Sequence, residues 1–132
     1  MTLVPHGFDD VVGIAIEVGV RDSAAHAHFY TQGLGLDPVD ARRFRCGDSL
    51  FLVDEAPDAP SDPGLRGAGF RYVTLQVFDC DAATERALAV GATLGAPART
   101  LGDVARFAMV RDPDGNWVEL SQRRSLTGEL PR

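Results

Sequence analysis

Two glutamates in strand-like segments are the residues of this chain best suited to chemistry. Glu119 follows an Asp-Pro-Asp-Gly turn, residues 112–115, in the stretch RDPDGNWVEL. Because side chains alternate along a strand, Trp117 and Glu119 share one face and Val118 lies on the other. Glu119 could act as a general acid or base, anchor a cationic or hydroxylated ligand, or ligate a metal. Alternatively, it is a structural carboxylate bonded by the backbone or by Arg106.

The second glutamate lies in an earlier segment that also alternates. Residues 11–20 carry large apolar side chains on one face, and Glu17 lies among small residues on the other. This pattern predicts a strand with one packed face. Glu17 could pair with Glu119 in acid–base chemistry. It could equally form an ion pair with an arginine such as Arg45 or Arg71.

A third alternating segment, residues 70–78, places Tyr72, Thr74 and Gln76 on one strand face. The phenol of Tyr72 could hydrogen-bond to a ligand, stack on it or act as an acid, or the ring could simply fill space. Trp117 could form a wall for an aromatic ligand, or it could lie at the surface or in a dimer interface.

The other polar candidates are weaker. Arg106 could bind an anionic group, although a salt bridge is the default expectation. His26 and His28 are two residues apart on a predicted helix, so they point to different faces and are expected in solvent. A metal site that combines His6 with the two glutamates would need the N-terminus to fold over them. No serine has a supporting triad.

The turn before Glu119 has a physical basis in its residues. Pro113 presets φ, Asp114 can bond the backbone beyond it, and Gly115 tolerates a positive φ. The turn therefore joins two strands, predicted over residues 103–110 and 117–121.

The first half of the chain places a helix after its alternating strand. Asp22 is the predicted N-cap of a helix over residues 23–32, and Gly33 ends it. Short strands are predicted over residues 39–46 and 49–53, with a Gly-Asp hairpin between them.

The second half repeats this order. A helix begins at Asp79 or Asp81 and ends near residue 90, and a strand over residues 93–99 follows. A shift of 57 residues pairs Asp22 with Asp79 and Ala15 with Tyr72. We therefore expect one α+β domain that contains a lead-in, a first module, a Pro/Gly-rich linker, a second module and a loosely held polar tail, over residues 1–10, 11–55, 56–69, 70–122 and 123–132.

Size and composition restrict the function classes. The chain has 132 residues, 45% of them hydrophobic, which suits one globular domain. Its net charge of −6 gives no electrostatic support for nucleic-acid binding. No apolar stretch has the length of a membrane span or of a signal peptide. Cys46 and Cys80 have no paired spacing, so we expect reduced thiols in a cytoplasmic protein.

The residues with these features resemble the vicinal oxygen chelate superfamily, which includes glyoxalase I, bleomycin-resistance proteins and extradiol dioxygenases. The resemblance covers residues 11–122 and rests on Phe29-Tyr30, on Leu34-Gly35-Leu36 and above all on Asp112-Pro-Asp-Gly-Asn116 with Glu119. It implies two βαβββ modules that pair into a half-open mixed β-barrel with helices outside, around a small-molecule cavity. It also implies a homodimer.

Enzymes of this superfamily hold a divalent metal on cavity-facing strands. The matching positions here are Ala15, Leu52, Tyr72 and Glu119, so Glu119 is the only retained ligand position. A metal needs several protein donors, which alanine and leucine do not supply. The sequence therefore predicts a degenerate metal site and no cofactor, although a divalent metal held by displaced ligands stays an alternative.

Three functions follow from the resemblance and the residues. The first is metal-free binding of a small organic molecule, for drug sequestration or secondary metabolism. The second is a metal-free isomerase, lyase or cyclase that uses Glu17 and Glu119 as acid and base and Tyr72 as hydrogen-bond donor. The third is a divalent-metal lyase or dioxygenase. In each case, the predicted ligand-contacting residues are Ala15, Glu17, Leu52, Tyr72, Thr74, Gln76, Arg106, Trp117 and Glu119.

Overall fold

The computed structural model describes residues 15–60 and 71–131, which form two modules with the same order of elements. The first module consists of β1 (Ala15–Val20), α1 (Ser23–His28) with a π-helical turn (Phe29–Gly33), β2 (Asp37–Pro38), β3 (Arg43–Cys46) and β4 (Ser49–Glu55). The second consists of β5 (Tyr72–Gln76), α2 (Cys80–Ala89), β6 (Thr93–Leu101), β7 (Ala105–Arg111) and β8 (Trp117–Arg123), after which α3 (Arg124–Thr127) follows. The predicted α+β fold with two βαβββ modules is confirmed. The predicted lead-in and most of the predicted linker lie outside the described residues.

Each module forms its own four-stranded sheet. The strand orders are β1-β4-β3-β2 and β5-β8-β7-β6, and the first and last strands of each module pair in parallel. Glu17 lies opposite Leu52 in the first sheet, and Thr74 lies opposite Glu119 in the second. Because Glu17 and Thr74 are 57 residues apart in the sequence, Leu52 and Glu119 occupy equivalent positions. The register therefore supports the repeat that the sequence predicts.

Both module helices begin at an aspartate in extended conformation. The side chain of Asp22 accepts a hydrogen bond from the backbone N–H of Ala25 at 3.0 Å. The side chain of Asp79 accepts one from Ala82 at the same distance. Each carboxylate satisfies a backbone donor that the first helical turn leaves unpaired. Asp79, rather than Asp81, is therefore the N-cap of the second helix.

The first helix changes its geometry before it ends. It is α-helical to His28 and continues as a π-helical turn to Gly33, close to the predicted end. Phe29 and Tyr30 in this turn are buried, with their rings 4.9 Å apart in an edge-to-face arrangement. None of the helices among the described residues is long and apolar enough to cross a membrane.

The modules contact each other through their helices. The π-helical turn packs on α2, and Arg86 of α2 donates a 3.0 Å hydrogen bond to the carbonyl of Gly33. Within the described residues, no strand of one sheet pairs with a strand of the other, so the two sheets are not closed on each other. The inner faces of both sheets contribute to one hydrophobic core that contains Val20, Phe29, Tyr30, Leu34, Leu36, Phe44, Phe51, Val53, Ala83, Ala87, Val110, Val118 and Leu120.

Strand β6 carries two register shifts against β7. One lies between Leu94 and Ala96, and the other between Ala96 and Arg99. Extra residues in one strand of an antiparallel pair bend that strand and increase its twist. The shifts also place Gly95 directly against the ring of Trp117.

The C-terminal segment differs from the loose tail that the sequence predicts. Residues 117–123 are all strand, and α3 follows them at once. Leu130 is buried, and the carbonyl of Pro131 accepts a hydrogen bond from the hydroxyl of Thr100. A buried side chain and a backbone hydrogen bond therefore attach this segment to the rest of the domain.

Candidate ligand-binding site

The outer face of the second sheet, here called the open face, carries the aromatic residues predicted to contact a ligand. The strand register arranges its side chains in rows. In one row Tyr72 lies beside Trp117, and Arg111 lies on the other side of Trp117. Two rows away, Gln76 lies beside Ser121. Tyr72 is 50% exposed, so its ring is available to another molecule.

The indole of Trp117 is held by two neighbouring residues. A Cβ atom at Gly95 would overlap the six-membered ring of the indole, so Trp117 packs directly on the glycine backbone. The guanidinium carbon of Arg111 lies 5.1 Å from the centre of the ring, a cation–π distance. The Nε–H of Arg111 also donates a 3.1 Å hydrogen bond to the carbonyl of Gly115. The aromatic surface at Trp117 is therefore positioned before any ligand arrives.

Glu119 lies in the next row of the open face. Its neighbours across the strands are Thr74 and Met109, and its side chain is partly buried. Across residues 15–60 and 71–131, no hydrogen bond or ion pair to its carboxylate is observed. A partly buried carboxylate without a partner is costly to keep, which is typical of a group that serves a ligand. The predicted structural bond to Arg106 is not formed.

The equivalent face of the first sheet has a different character. Ala15 and Glu17 are exposed on β1, and Leu52 lies beside Glu17. The ion pairs considered for Glu17 are not observed among the described residues, and Arg43 on the next strand is paired with Asp40 at 2.7 Å. A shallow groove of about 440 Å³ is lined there by Glu17, Asp40, Ala41, Arg42, Arg43, Leu52, Val53 and Asp54.

The structure separates the predicted site residues into two groups. Tyr72, Thr74, Gln76, Trp117 and Glu119 lie on the open face of the second sheet. The other three strand residues lie on the first sheet, which does not pair with the second. The expected neighbourhood of Glu119 with Ala15 and Glu17 is therefore not formed within the described part of one chain.

Arg106 requires a correction, because it does not face the same way as Glu119. In the β7–β8 pair, Arg106 lies opposite Gln122, whereas Met109 lies opposite Glu119. The guanidinium of Arg106 instead binds Asp81 of α2, with Nη2 and Oδ1 2.9 Å apart. This contact raises the pKa of Arg106. The residue is thus a salt-bridge partner of the helix, which was the default expectation.

The Asp-Pro-Asp-Gly turn bonds differently from the expectation. Asp112, not Asp114, accepts hydrogen bonds from the backbone beyond it: its Oδ1 accepts the N–H of Asp114 at 3.0 Å and of Asn116 at 2.8 Å. Gly115 has a φ of 85°, as expected. The carboxylate of Asp114 accepts the backbone N–H of Arg21 in the first module, at 2.9 Å. The turn therefore connects the two modules as well as two strands.

A buried polar cluster at this connection was missed in the sequence. His26 was expected in solvent, but its side chain is fully buried. Its Nδ1 lies 2.7 Å from the carbonyl of Asp22, and its Nε2 lies 3.5 Å from a carboxylate oxygen of both Asp112 and Asp114. The signal was its position four residues before the core residue Tyr30, because residues four apart share a helix face.

Charge explains the protonation state of this cluster. Burial lowers the pKa of His26, but the carboxylate of Asp112, the carbonyl of Asp22 and the charge of Asp114 outweigh it, so the pKa lies above 6.5. Burial raises the pKa of Asp112, but His26 and Asn116 outweigh it, so that pKa lies below 3.8. The raised pKa of His26 and the lowered pKa of Asp112 mean that each group favours the charged form of the other.

Comparison with known proteins agrees with the two-module architecture. The Glyoxalase/Bleomycin resistance protein/Dioxygenase superfamily model matches residues 12–120. The chain belongs to this superfamily. No curated protein matches the chain at a significant level.

Solved structures of other proteins share the fold. A glyoxalase-related enzyme from Fulvimarina pelagi is 21% identical with a TM-score of 0.68, and the match covers 86% of this chain and 88% of that one. A glyoxalase/bleomycin resistance protein from Streptomyces sp. CB03234 is 25% identical with a TM-score of 0.60, covering 84% and 100%. TnmS3, an antibiotic binding protein from Streptomyces sp. CB03234, is 24% identical with a TM-score of 0.64, covering 89% and 99%.

The four positions that the superfamily resemblance assigns to a metal carry few side-chain donors in this chain. Ala15 and Leu52 have no donor atom, and Tyr72 and Glu119 are in the other sheet. Among the described residues, no group of three or more His, Cys, Asp or Glu side chains could hold a metal ion. A divalent ion requires more donors than one carboxylate and one phenol provide.

Proposed function

We propose that this protein binds a small aromatic organic molecule on the open face of the second sheet without a metal, for drug sequestration or secondary metabolism. The observation that carries the proposal is the juxtaposition of half-exposed Tyr72 and immobilised Trp117. Aromatic side chains held on strands offer stacking surface with little loss of conformational freedom on binding. Glu119, one row away, supplies a carboxylate for a hydroxyl or cationic group of the ligand.

The structural similarity to TnmS3, an antibiotic binding protein, supports sequestration as the purpose of such binding. The donor-poor positions Ala15 and Leu52 support a mechanism without a metal. The ligand would be held by stacking and hydrogen bonds and released unchanged. Drug-sized ligands bind in concave sites that cover most of their surface.

We infer that a second copy of the chain completes this concave site. Each chain presents two outer sheet faces, and Tyr72 on one and Glu17 on the other are exposed. A homodimer in which the first sheet of one chain covers the open face of its partner would enclose a ligand between them. Analytical ultracentrifugation tests this inference, and a dimer is expected. A chain that is monomeric under conditions in which it binds a ligand would contradict it.

Binding is tested with three probes that share a naphthalene ring and carry a negative, a neutral and a positive substituent: 2-naphthoate, 2-naphthamide and 2-naphthylmethylamine. Trp117 is the only tryptophan, so its fluorescence reports contact at the proposed site directly. Calorimetry gives the affinities, before and after treatment with a chelator. At least one probe is expected to bind and to quench the fluorescence of Trp117. Its affinity should be the same before and after treatment with the chelator. No binding by any probe, or binding that returns only with an added divalent ion, would contradict the proposal.

The acid–base alternative is distinguished by the fate of the probe and by two variants. Mass spectrometry of the recovered probe should show an unchanged mass. Glu119→Gln and Glu17→Gln remove the two carboxylates on which that chemistry depends. A chemically altered probe whose formation is abolished by both variants would replace the binding function with catalysis.

A further inference from the structure

We propose that Arg111 binds an anionic group of the ligand, so that the preferred ligand is an aromatic carboxylate. This inference rests on the proposed function, because it names the chemical class of molecule that the open face takes. It adds Arg111, which the sequence analysis did not single out. It also assigns a negative charge to the ligand, whereas the net charge of −6 would favour a cationic ligand.

The position of Arg111 places a cation next to the aromatic residues of the open face. Arg111 lies opposite Trp117 in the β7–β8 pair, and Tyr72 lies on the other side of Trp117. A ligand ring stacked on the aromatic pair would therefore have a guanidinium beside it. Thr93, opposite Arg111 on β6, adds a hydroxyl at the end of the same row.

The orientation of the guanidinium is fixed in two ways. Its carbon lies 5.1 Å from the centre of the Trp117 ring, and its Nε–H donates to the carbonyl of Gly115 at 3.1 Å. These contacts use one face of the group and one of its five donors. The terminal Nη1 and Nη2 atoms make no hydrogen bond to any residue in the described ranges. Their geometry matches the two oxygens of a carboxylate.

Other arginines of the chain show what a structural role looks like here. Arg106 binds the carboxylate of Asp81, and Arg43 binds that of Asp40. Arg111 forms no ion pair with a described residue, although it is only partly exposed. A guanidinium that is oriented by its neighbours and lacks an anionic partner favours an anionic ligand, because little reorganisation is needed on binding.

Arg99 provides a matched control on the same face. Its guanidinium carbon lies 5.0 Å from the centre of the Phe107 ring, so it forms the same kind of cation–π pair. In the β6–β7 register it lies opposite Phe107, two rows away from Arg111 and Trp117. Arg99→Gln therefore removes one positive charge and one stacked guanidinium without affecting the row of Tyr72 and Trp117.

The test compares 2-naphthoate with 2-naphthamide, which has the same ring without the charge. For the natural chain, calorimetry should give about tenfold tighter binding of the carboxylate, as expected for a charge-assisted bidentate contact. Arg111→Gln should abolish this preference. Arg111→Lys should retain part of it, and Arg99→Gln should leave it unchanged. Circular dichroism and thermal unfolding establish that each variant is folded.

Equal affinity of the natural chain for 2-naphthoate and 2-naphthamide would overturn the inference and leave the proposed function intact. The same holds if Arg99→Gln removes the preference as completely as Arg111→Gln, because the selectivity would then reflect net charge. If Arg111→Gln fails to fold, Arg111→Lys replaces it: the preference for the carboxylate should become weaker, and an unchanged preference would overturn the inference.

Discussion

The phenol of Tyr30 donates a 2.9 Å hydrogen bond to the buried carboxylate of Asp112, although 82 positions separate the two residues. Tyr30 belongs to the π-helical turn of the first module, and Asp112 begins the turn between the last two strands of the second. The bond therefore joins the modules in the interior, next to the π-helical turn that packs on α2.

Removing this hydrogen bond should destabilise the whole chain. Tyr30→Phe removes one of the two hydrogen bonds to Oδ2 of Asp112 and leaves the one from Asn116 Nδ2, and we expect it to lower the free energy of unfolding by about 1–3 kcal/mol. Urea denaturation followed by circular dichroism measures the change. Tyr72→Phe is the matched control: it removes an exposed phenol and should alter stability by less than about 0.5 kcal/mol. Equal effects of the two substitutions would disprove the structural role of the Tyr30 bond.

The cluster around His26 should make stability depend on pH. The pKa of His26 is raised above 6.5 in the folded chain, so its contribution is complete below pH 6.5 and is lost as pH rises through the folded pKa. The pKa of Asp112 is lowered below 3.8, so its contribution is complete above pH 3.8 and is lost as pH falls through the folded pKa. The cluster, which includes Asp114 and Tyr30, therefore stabilises most between these two values.

Urea unfolding over a pH series tests the alkaline side of this window. His26→Gln should lower stability below pH 6.5 and flatten the loss of stability above it. His28→Gln is the control, because His28 is exposed on the same helix and should keep the natural pH profile. If His26→Gln retains the full alkaline loss, another group causes it.

Gly95→Ala should displace Trp117. The added methyl group would overlap the indole ring, so either the ring or strand β6 must move, at a cost of about 1–3 kcal/mol. Tryptophan fluorescence should shift toward the emission of a more solvated indole. Gly19→Ala is the control, since a Cβ there has no atom within 4 Å. An unchanged fluorescence spectrum in Gly95→Ala would refute the contact between Gly95 and Trp117.

Arg106→Gln should affect stability without affecting ligand binding. Its partner Asp81 is 46% exposed, so we expect a loss of about 1 kcal/mol or less. The affinity for 2-naphthoate should remain that of the natural chain, because Arg106 faces α2. A selective loss of affinity without a loss of stability would return Arg106 to the ligand site.

Local patterns in the sequence were sufficient to predict the repeated elements. Asp22 and Asp79 each precede a helix, and the alternation of Trp117 and Glu119 with apolar residues gave their common face. These features depend on neighbours within a few positions, which a sequence displays directly. The 57-residue repeat pairs Glu17 with Thr74, and the strand register then shows that their partners Leu52 and Glu119 occupy equivalent positions.

Features that depend on distant contacts were not predictable in the same way. The burial of His26 requires the turn of the second module to pack over it, and the anchoring of Leu130 requires a neighbouring strand. The direction of Arg106 follows from the β7–β8 register, which the bond between the Asp112 N–H and the Asn116 carbonyl sets. Counting outward from this closed turn would have placed Arg111 and Met109 on the face of Glu119.

The connection between Asp112 and the first module also bears on how such a chain changes during evolution. Asp112, in the most recognisable motif of the superfamily, is buried and bonds to the first module, so a change there threatens folding. Ala15, Leu52 and Tyr72 lie on the outer faces of the two sheets, outside the hydrophobic core. Related proteins can therefore keep the same architecture while the molecules that they bind change. The shared motif then indicates common descent but does not indicate the ligand.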